Sequence, residues 1–369
     1  MGSPAKSLLH ETTLGHPTEI WNDGCEERTL ARALEHGATG ATSNPVLVLE
    51  AIEAAPERWR GVTATLLREH PTETEEQIAW RLVETMAQGA AKLLEPLFVS
   101  SGGKHGRLSL QVNPRLYPSA AAMVEQAKGF ARLAPNMAVK LPAVSAGVVA
   151  AEELTAAGIH VNATVSFTLP QAVAVAEAME RGLKRAKASG IDTTGLTPWV
   201  TVMVGRLDDH LRDEARARGL DIDPEHVRQA STAVFRKTYH LFRERGYRAK
   251  PLAAAMRSHH HWSEFIGGEL VVTIPPAWQD KFNASGVEVK RRIDDEVDPA
   301  IVGELLRTFP DFGRAYLEDG MAPAEFVSFG AAKKTLHQFL SGYEKLLAFV
   351  RGVMLPLGSD AGIGGKGAR

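Results

Sequence analysis

The 369-residue sequence predicts an α/β fold of the (β/α)8 TIM-barrel class with additional helices. Three observations carry that prediction. Eight short apolar runs recur along the chain, and helical patterns separate them. Several of the runs are apolar on both faces, as strands of a parallel sheet must be when each face is covered.

The strand candidates in order are Glu19–Asp23, Ala38–Thr42, Leu108–Val112, Met137–Leu141, His160–Val165, Trp199–Val204, Pro251–Met256 and Leu270–Ile274. The seventh, PLAAAM, is the weakest, because alanine has little strand preference. Helical segments follow at Glu26–Glu35, Ser119–Arg132, Ala146–Ala157 and Leu169–Ala188. In the last of these Val173, Ala176, Met179 and Leu183 recur at helical spacing. Gly37, Gly158 and Gly190 supply the glycine stop signal.

A basic barrel needs roughly 250 residues, so the excess has to be placed. We read one barrel domain over residues 1–355, with a helical insertion near 54–105 and C-terminal helices within 299–350. Thr72–Phe98 reads as a long helix of that insertion, and residues 356–369 as a flexible Gly-rich tail. The tail holds Gly362, Gly364 and Gly367 at dinucleotide-binding spacing, but neither a strand nor a helix flanks them, so the motif is dismissed. Lys290–Asp298 (KRRIDDEVD) reads as a solvated connection.

Composition excludes several classes. Hydrophobic residues make up 44% and charged residues 23%, which is ordinary for a globular chain. With 42 Lys+Arg against 44 Asp+Glu the formal net charge is −2, which removes the electrostatic case for a nucleic-acid partner. Cys25 is the single cysteine, so neither an intrachain disulfide nor a Cys-built zinc site is expected. No apolar stretch suggests a signal peptide or a membrane span, and the expected location is cytoplasmic. A homodimer is left open.

In such a barrel the strand C-termini and the loops after them face the active site. The polar residues there are Asp23, Asn44, Gln111, Asn113, Lys140, Asn162, Thr164, Thr201, Arg206, Arg257 and Ser258. Lys140 is the sharpest, set in Met-Ala-Val-Lys-Leu-Pro. A lysine in that context is paired with a carboxylate, reaches an edge, or serves as a neutral amine able to form a Schiff base with a ketone. Asp23 suits a general base and equally a helix cap. Asn162 and Thr164, two apart, share one face of their strand. Asn44-Pro45 also fits a simple helix cap. His259-His260-His261 invites a metal reading, but consecutive side chains diverge and no HEXXH companion accompanies them, so no metal site is expected.

These pieces together resemble the transaldolase family. Thr39–Leu49 (TGATSNPVLVL) is similar to the family's Gly-Val-Thr-Thr-Asn-Pro-Ser. Ser109–Leu116 (SLQVNPRL), Val139–Gly147 (VKLPAVSAG), Gly158–Thr168 (GIHVNATVSFT) and Val204–Asp208 (VGRLD) follow in the family's order and spacing, covering Ile20 to Pro276. The resemblance implies a class I Schiff-base enzyme that moves a three-carbon ketol unit from a ketose or ketose-phosphate donor to an aldehyde, without metal or organic cofactor. It implies Lys140 as the Schiff-base lysine, Asp23 as the acid/base aspartate, and Thr164 as the holder of a catalytic water. Asn44 and Asn162 fall on hydroxyl-positioning asparagines, and Arg206 on a phosphate-binding arginine. Thr42 and Thr201 join the substrate-binding set.

Two departures stand out. The family's Glu-Val-Asp is here Gln111-Val112-Asn113, and glutamine positions water but does not exchange a proton at neutral pH. Fructose-6-phosphate aldolases pair a glutamine with a tyrosine on the sixth strand, where this chain has Met203. The family's Ser-Phe-Arg-Asn becomes Met256-Arg257-Ser258-His259-His260-His261-Trp262, leaving Arg257 and His260 as candidates at the second anion position, with Ser258 in the substrate-binding set. A class I aldolase or specialised carbon–carbon bond-forming enzyme acting on an unusual or unphosphorylated substrate, and a barrel that binds sugar phosphate without catalysis, are the alternatives.

Overall fold

The computed structural model describes residues 7–356, so the predicted tail lies almost wholly outside the described residues. Eight parallel strands close into a barrel in sequence order: β1 (Glu19–Asp23), β2 (Gly40–Thr42), β3 (Arg107–Gln111), β4 (Met137–Pro142), β5 (Val161–Ser166), β6 (Trp199–Val202), β7 (Lys250–Ala253) and β8 (Val271–Ile274). β1 pairs with both β2 and β8, which closes the ring. The fold class is the one the sequence predicts.

Alternation along the strands explains the packing. Leu108, Leu110, Val139, Leu141, Val161 and Ala163 point outward into the core shared with the surrounding helices. The opposite face fills the barrel: Trp21, Ala138, Trp199, Leu252, Ala254 and Val271 form a separate buried cluster. The Trp21 and Trp199 rings lie 5.1 Å apart. Gly40 is required beside them, because a Cβ there would come within 2.6 Å of the Trp21 ring. This plug leaves the polar ends of the strands to form the upper mouth.

Three helices, Pro45–Ala54, Pro56–Glu69 and Glu75–Ser100, connect β2 to β3, the last opened by a Thr74/Gln77 capping box. After β8 come Pro276–Asn283, Pro299–Thr308, Pro310–Tyr316 and Gly330–Met354. The final helix reaches the mouth: Gln338 meets Arg206, and Tyr343 donates to Glu76 at 2.7 Å.

Several expected boundaries need correction. β6 ends at Val202 rather than Val204, because Val204 already starts a helix running to Arg218. β7 is Lys250–Ala253 rather than Pro251–Met256; Ala255 has φ +66°, which no strand accommodates. The stretch 290–298 is anchored as well as solvated, since Ile293 is fully buried and the amides of Arg292 and Ile293 both donate to Ile266 O. Helices Leu8–Gly15, Val204–Arg218 and Pro224–Glu244 were not anticipated. Among the described residues, no helix is long and apolar enough to cross a membrane.

Candidate active site at the barrel mouth

Strand register assembles the site. Gln111, Lys140 and Asn162 are side-by-side partners on β3, β4 and β5. Asp23 and Thr42 are partners on β1 and β2. In-register residues of a parallel sheet point to the same face, here the barrel interior.

A cavity of about 200 Å³ opens at this mouth. It brings together Asp23, Asn44, Lys140, Thr164, Arg206 and Arg257, with Met203 on its apolar wall. Lys140 is buried and forms neither an ion pair nor a side-chain hydrogen bond among the described residues. Burial pushes its ammonium below the ordinary lysine range, and Arg206 adds to that effect against the pull of Asp23. Burial likewise pushes the Asp23 carboxyl up, opposed by Lys140, by the hydrogen bond from Thr42 and by Arg206. Both shifts favour the uncharged forms, and a neutral amine is the nucleophilic one.

Around this pair the polar side chains hold one another. Thr42 donates to Asp23 Oδ1 at 2.7 Å and shares a 2.8 Å hydrogen bond with Thr273 on β8. Thr201 donates to Asn162 Oδ1 at 2.7 Å, and Asn162 Nδ2 donates to Ser109 at 3.0 Å. Asn44 lines the cavity and also caps the helix Pro45–Ala54, accepting from the amides of Val46 and Leu47. Cap and cavity positions therefore coincide in one residue.

Besides Lys140, other candidate residues carry polar atoms without a partner among the described residues, including Arg206 Nε, Ser258 Oγ and His260 Nδ1. Thr164 Oγ1 and Gln111 Oε1 are buried and unbonded among the described residues, an arrangement that calls for an explanation beyond packing. Gln111 lies outside the main cavity, on a wall shared with Asn44, Trp80 and Tyr343. Backbone strain marks the same end. The non-glycine residues with positive φ among those described are Val165 at +54° and Ala255 at +66°, one directly after Thr164 and one just past β7. Such conformations each cost about 1–3 kcal/mol and cluster at functional sites. At Val165 the β5–β6 ladder shifts register.

The two arginines occupy one end. Arg206, half-buried in the first turn of the helix Val204–Arg218, donates to Gln338 and lies 5.8 Å from the Phe339 ring. Burial, followed by the neighbouring Arg257, pushes its guanidinium below the usual range, against Asp209 and Asp23. Arg257 donates from Nε to Asp209 at 2.8 Å. Ser258 and His260 fall in the adjacent turn, outside the cavity lining. The three histidines diverge: His259 packs on Phe282, and His261 is buried against Asp208. Among the described residues the one group with metal-ligand proximity is His210, Glu214 and Asp311, in which His210 pairs with Asp311 and Glu214 with Arg218.

Sequence reasoning missed Thr273, Ser109, Gln338, Asp208 and His261. The two strand residues carried a signal, since each is a polar residue inside an apolar run. Gln338, on a distant helix, carried none.

Comparison with known proteins shows the family. Residues 20–318 match the family described as transaldolase/fructose-6-phosphate aldolase. The chain belongs to that family. Among its relatives, transaldolase of Thiobacillus denitrificans is 30% identical over 309 residues, covering 83% of this chain and 80% of that protein. Transaldolase 1 of Streptomyces avermitilis is 32% identical over 61% of each chain. Transaldolase 1 of Streptomyces coelicolor is 35% identical over 52% of each. The chain thus spans less than two thirds of both Streptomyces transaldolases.

Proposed function

We propose that the protein is a transaldolase-like transferase that moves a three-carbon ketol unit from a ketose phosphate to an aldehyde through an imine on Lys140. The observation that carries this reading is Lys140 itself: a buried lysine, free of any carboxylate contact among the described residues, facing Asp23 across a cavity that ends in two arginines. A purely structural buried lysine would be paired.

The Lys140 amine adds to the donor ketone, and loss of water gives a protonated imine. Asp23 takes the proton from the C4 hydroxyl; the C3–C4 bond breaks, and its electron pair moves into the imine to give an enamine as the aldehyde leaves. An acceptor aldehyde then adds to the enamine carbon, Asp23 returns the proton, and water releases the product. The imine is the electron sink, so this chemistry draws on no metal or organic cofactor.

The remaining roles follow position. Thr42, backed by Thr273, aims Asp23. Asn44 and Asn162 hold substrate hydroxyls, Asn162 being fixed by Thr201 and Ser109. Thr164 and Gln111 offer unbonded polar atoms to the water of imine formation and hydrolysis. Arg206 and Arg257 take the phosphate.

Gln111 and Met203 favour a second reading, a class I aldolase that releases its three-carbon unit. Incubating enzyme and a ketose phosphate with and without an aldehyde separates the two. Strict acceptor dependence supports the transferase, whereas free three-carbon product without acceptor supports the aldolase. Absence of both reactions together with tight sugar-phosphate binding would overturn either one.

A further inference from the structure

Behind the two arginines lies a buried polar pair that the proposed chemistry does not use. His261 is 0% exposed and Asp208 1%. Asp208 sits one turn inside the helix that presents Arg206, and His261 four residues past Arg257. His261 Nε2 is 2.8 Å from Asp208 Oδ2, and Asp208 Oδ1 accepts from the Ser231 amide at 3.3 Å. On its other side, His261 Nδ1 accepts the main-chain N–H of Arg257 at 3.0 Å. An amide donor at Nδ1 requires that nitrogen to be unprotonated, so Nε2 carries the hydrogen and gives it to Asp208. One neutral tautomer satisfies both partners, and Ser231 Oγ lies 3.4 Å from the same Nε2.

That bond acts on a strained and crowded piece of chain. Ala255, two residues before Arg257, holds φ +66°. Its carbonyl lies so close to the adjacent helix that a Cβ on Gly205 would come within 1.9 Å of it. Strained backbone persists only where its surroundings over-determine it. Here the determinants are the His261 acceptor, the Arg257 Nη1 bonds to the carbonyls of Met256 and Ala255, and the Nε bond to Asp209. The result is two guanidinium groups at one cavity end. Among the described residues neither Arg206 nor Arg257 has a protein partner for Nη2.

We propose that Asp208 and His261 are positioning residues for anion capture: the buried pair fixes the Arg257 main chain, sets Arg257 beside Arg206, and so gives the site its preference for a phosphorylated over an unphosphorylated substrate. This rests on the sugar-phosphate reading above. Removing the acceptor leaves a main-chain N–H of the strained loop unsatisfied and frees Arg257 to move, while Lys140 and Asp23, on β4 and β1, keep their places.

The test compares His261→Phe, which removes every hydrogen bond of the imidazole, with His261→Asn, which retains an acceptor for the Arg257 amide. With a phosphorylated ketose donor, the Phe variant should raise KM about tenfold or more, with kcat nearly unchanged. Constants for the same ketose without its phosphate as donor should not move, and His261→Asn should recover most of the lost affinity. Calorimetry with inorganic phosphate should show the same order of affinities: wild type, then Asn, then Phe. Unchanged phosphate affinity in a folded Phe variant, or equal losses with both donors, would overturn the proposal. If the Phe variant does not fold, Asp208→Asn replaces it: weaker phosphate binding with the kinetics of the unphosphorylated ketose intact supports the proposal, and unaltered phosphate binding overturns it. Failure to trap an imine at Lys140 in the wild type would instead count against the parent reading, because the calorimetric arm needs no catalysis.

Discussion

Thr42 Oγ1 donates a 2.7 Å hydrogen bond to Asp23 Oδ1, and Thr273 stands 2.8 Å behind it, so strands β1, β2 and β8 jointly aim one carboxyl group at the cavity of Lys140. The pairing follows from register, since Asp23 and Thr42 are direct partners. A carboxylate that moves a proton must be held within hydrogen-bond reach of it.

Thr42→Val removes that hold without changing side-chain volume much. Turnover should fall about tenfold to a hundredfold, the range expected for losing a hydrogen bond to a charged group. Borohydride trapping of the donor should survive, because imine formation uses Lys140. Equal loss of trapping and turnover would show that Thr42 supports the whole site and not Asp23 in particular.

Imine formation should have a pH profile displaced downward. Burial and then Arg206 lower the Lys140 pKa, while Asp23 raises it. The free amine therefore becomes available below the ordinary lysine value of about 10.4. Asp23→Asn deletes the one influence that favours the ammonium, so the midpoint of trapping rate against pH should move lower still. An upward move would contradict the assigned electrostatics.

Gly205→Ala tests the close approach between the Arg206 helix and the loop after β7. The added Cβ would meet the Ala255 carbonyl at 1.9 Å, a backbone atom with no rotamer to adopt. Destabilisation of about 2 kcal/mol is expected, together with weakened phosphate binding, both measurable on one sample by thermal melts with and without phosphate.

The lower end of the barrel predicts acid sensitivity. Glu19 accepts from Lys250 at 2.9 Å and lies 3.3 Å from His105. Its pKa is lowered to about 2: burial alone would raise it, and His105 and Lys250 outweigh that. A depressed carboxylate stabilises the fold above its unfolded pKa and loses that contribution as pH falls through the folded value. Glu19 should therefore contribute about 3 kcal/mol at neutral pH, lost between roughly pH 4.5 and 2. Burial lowers His160 to about 4, with Arg107 adding to the shift, so stability should already decline between about pH 6.5 and 4. Glu19→Gln should flatten the lower part of a denaturation-against-pH curve and leave the upper part unchanged.

The fold class was legible because barrel strands announce themselves as short runs apolar on both faces. Their ends were harder to read. PLAAAM reads as six strand residues, yet Ala255 turns into positive φ where its carbonyl closely approaches Gly205. Lys140, Asp23, Asn162 and Thr164 were readable as polar residues inside or beside apolar runs, where an unpaired polar group is costly. The anion end was not. Arg257 and His261 acquire their relationship from Asp208, 53 residues away on another helix, and only the folded chain sets that distance. Gln338 is farther still, 132 residues from Arg206 in sequence, and no local pattern links them.

The most direct measurement is mass spectrometry of the proteolysed enzyme after borohydride reduction in the presence of a ketose phosphate. A reduced three-carbon adduct on Lys140, absent in Lys140→Ala along with turnover, is the predicted result. An adduct on another lysine, or full activity in Lys140→Ala, would contradict the account.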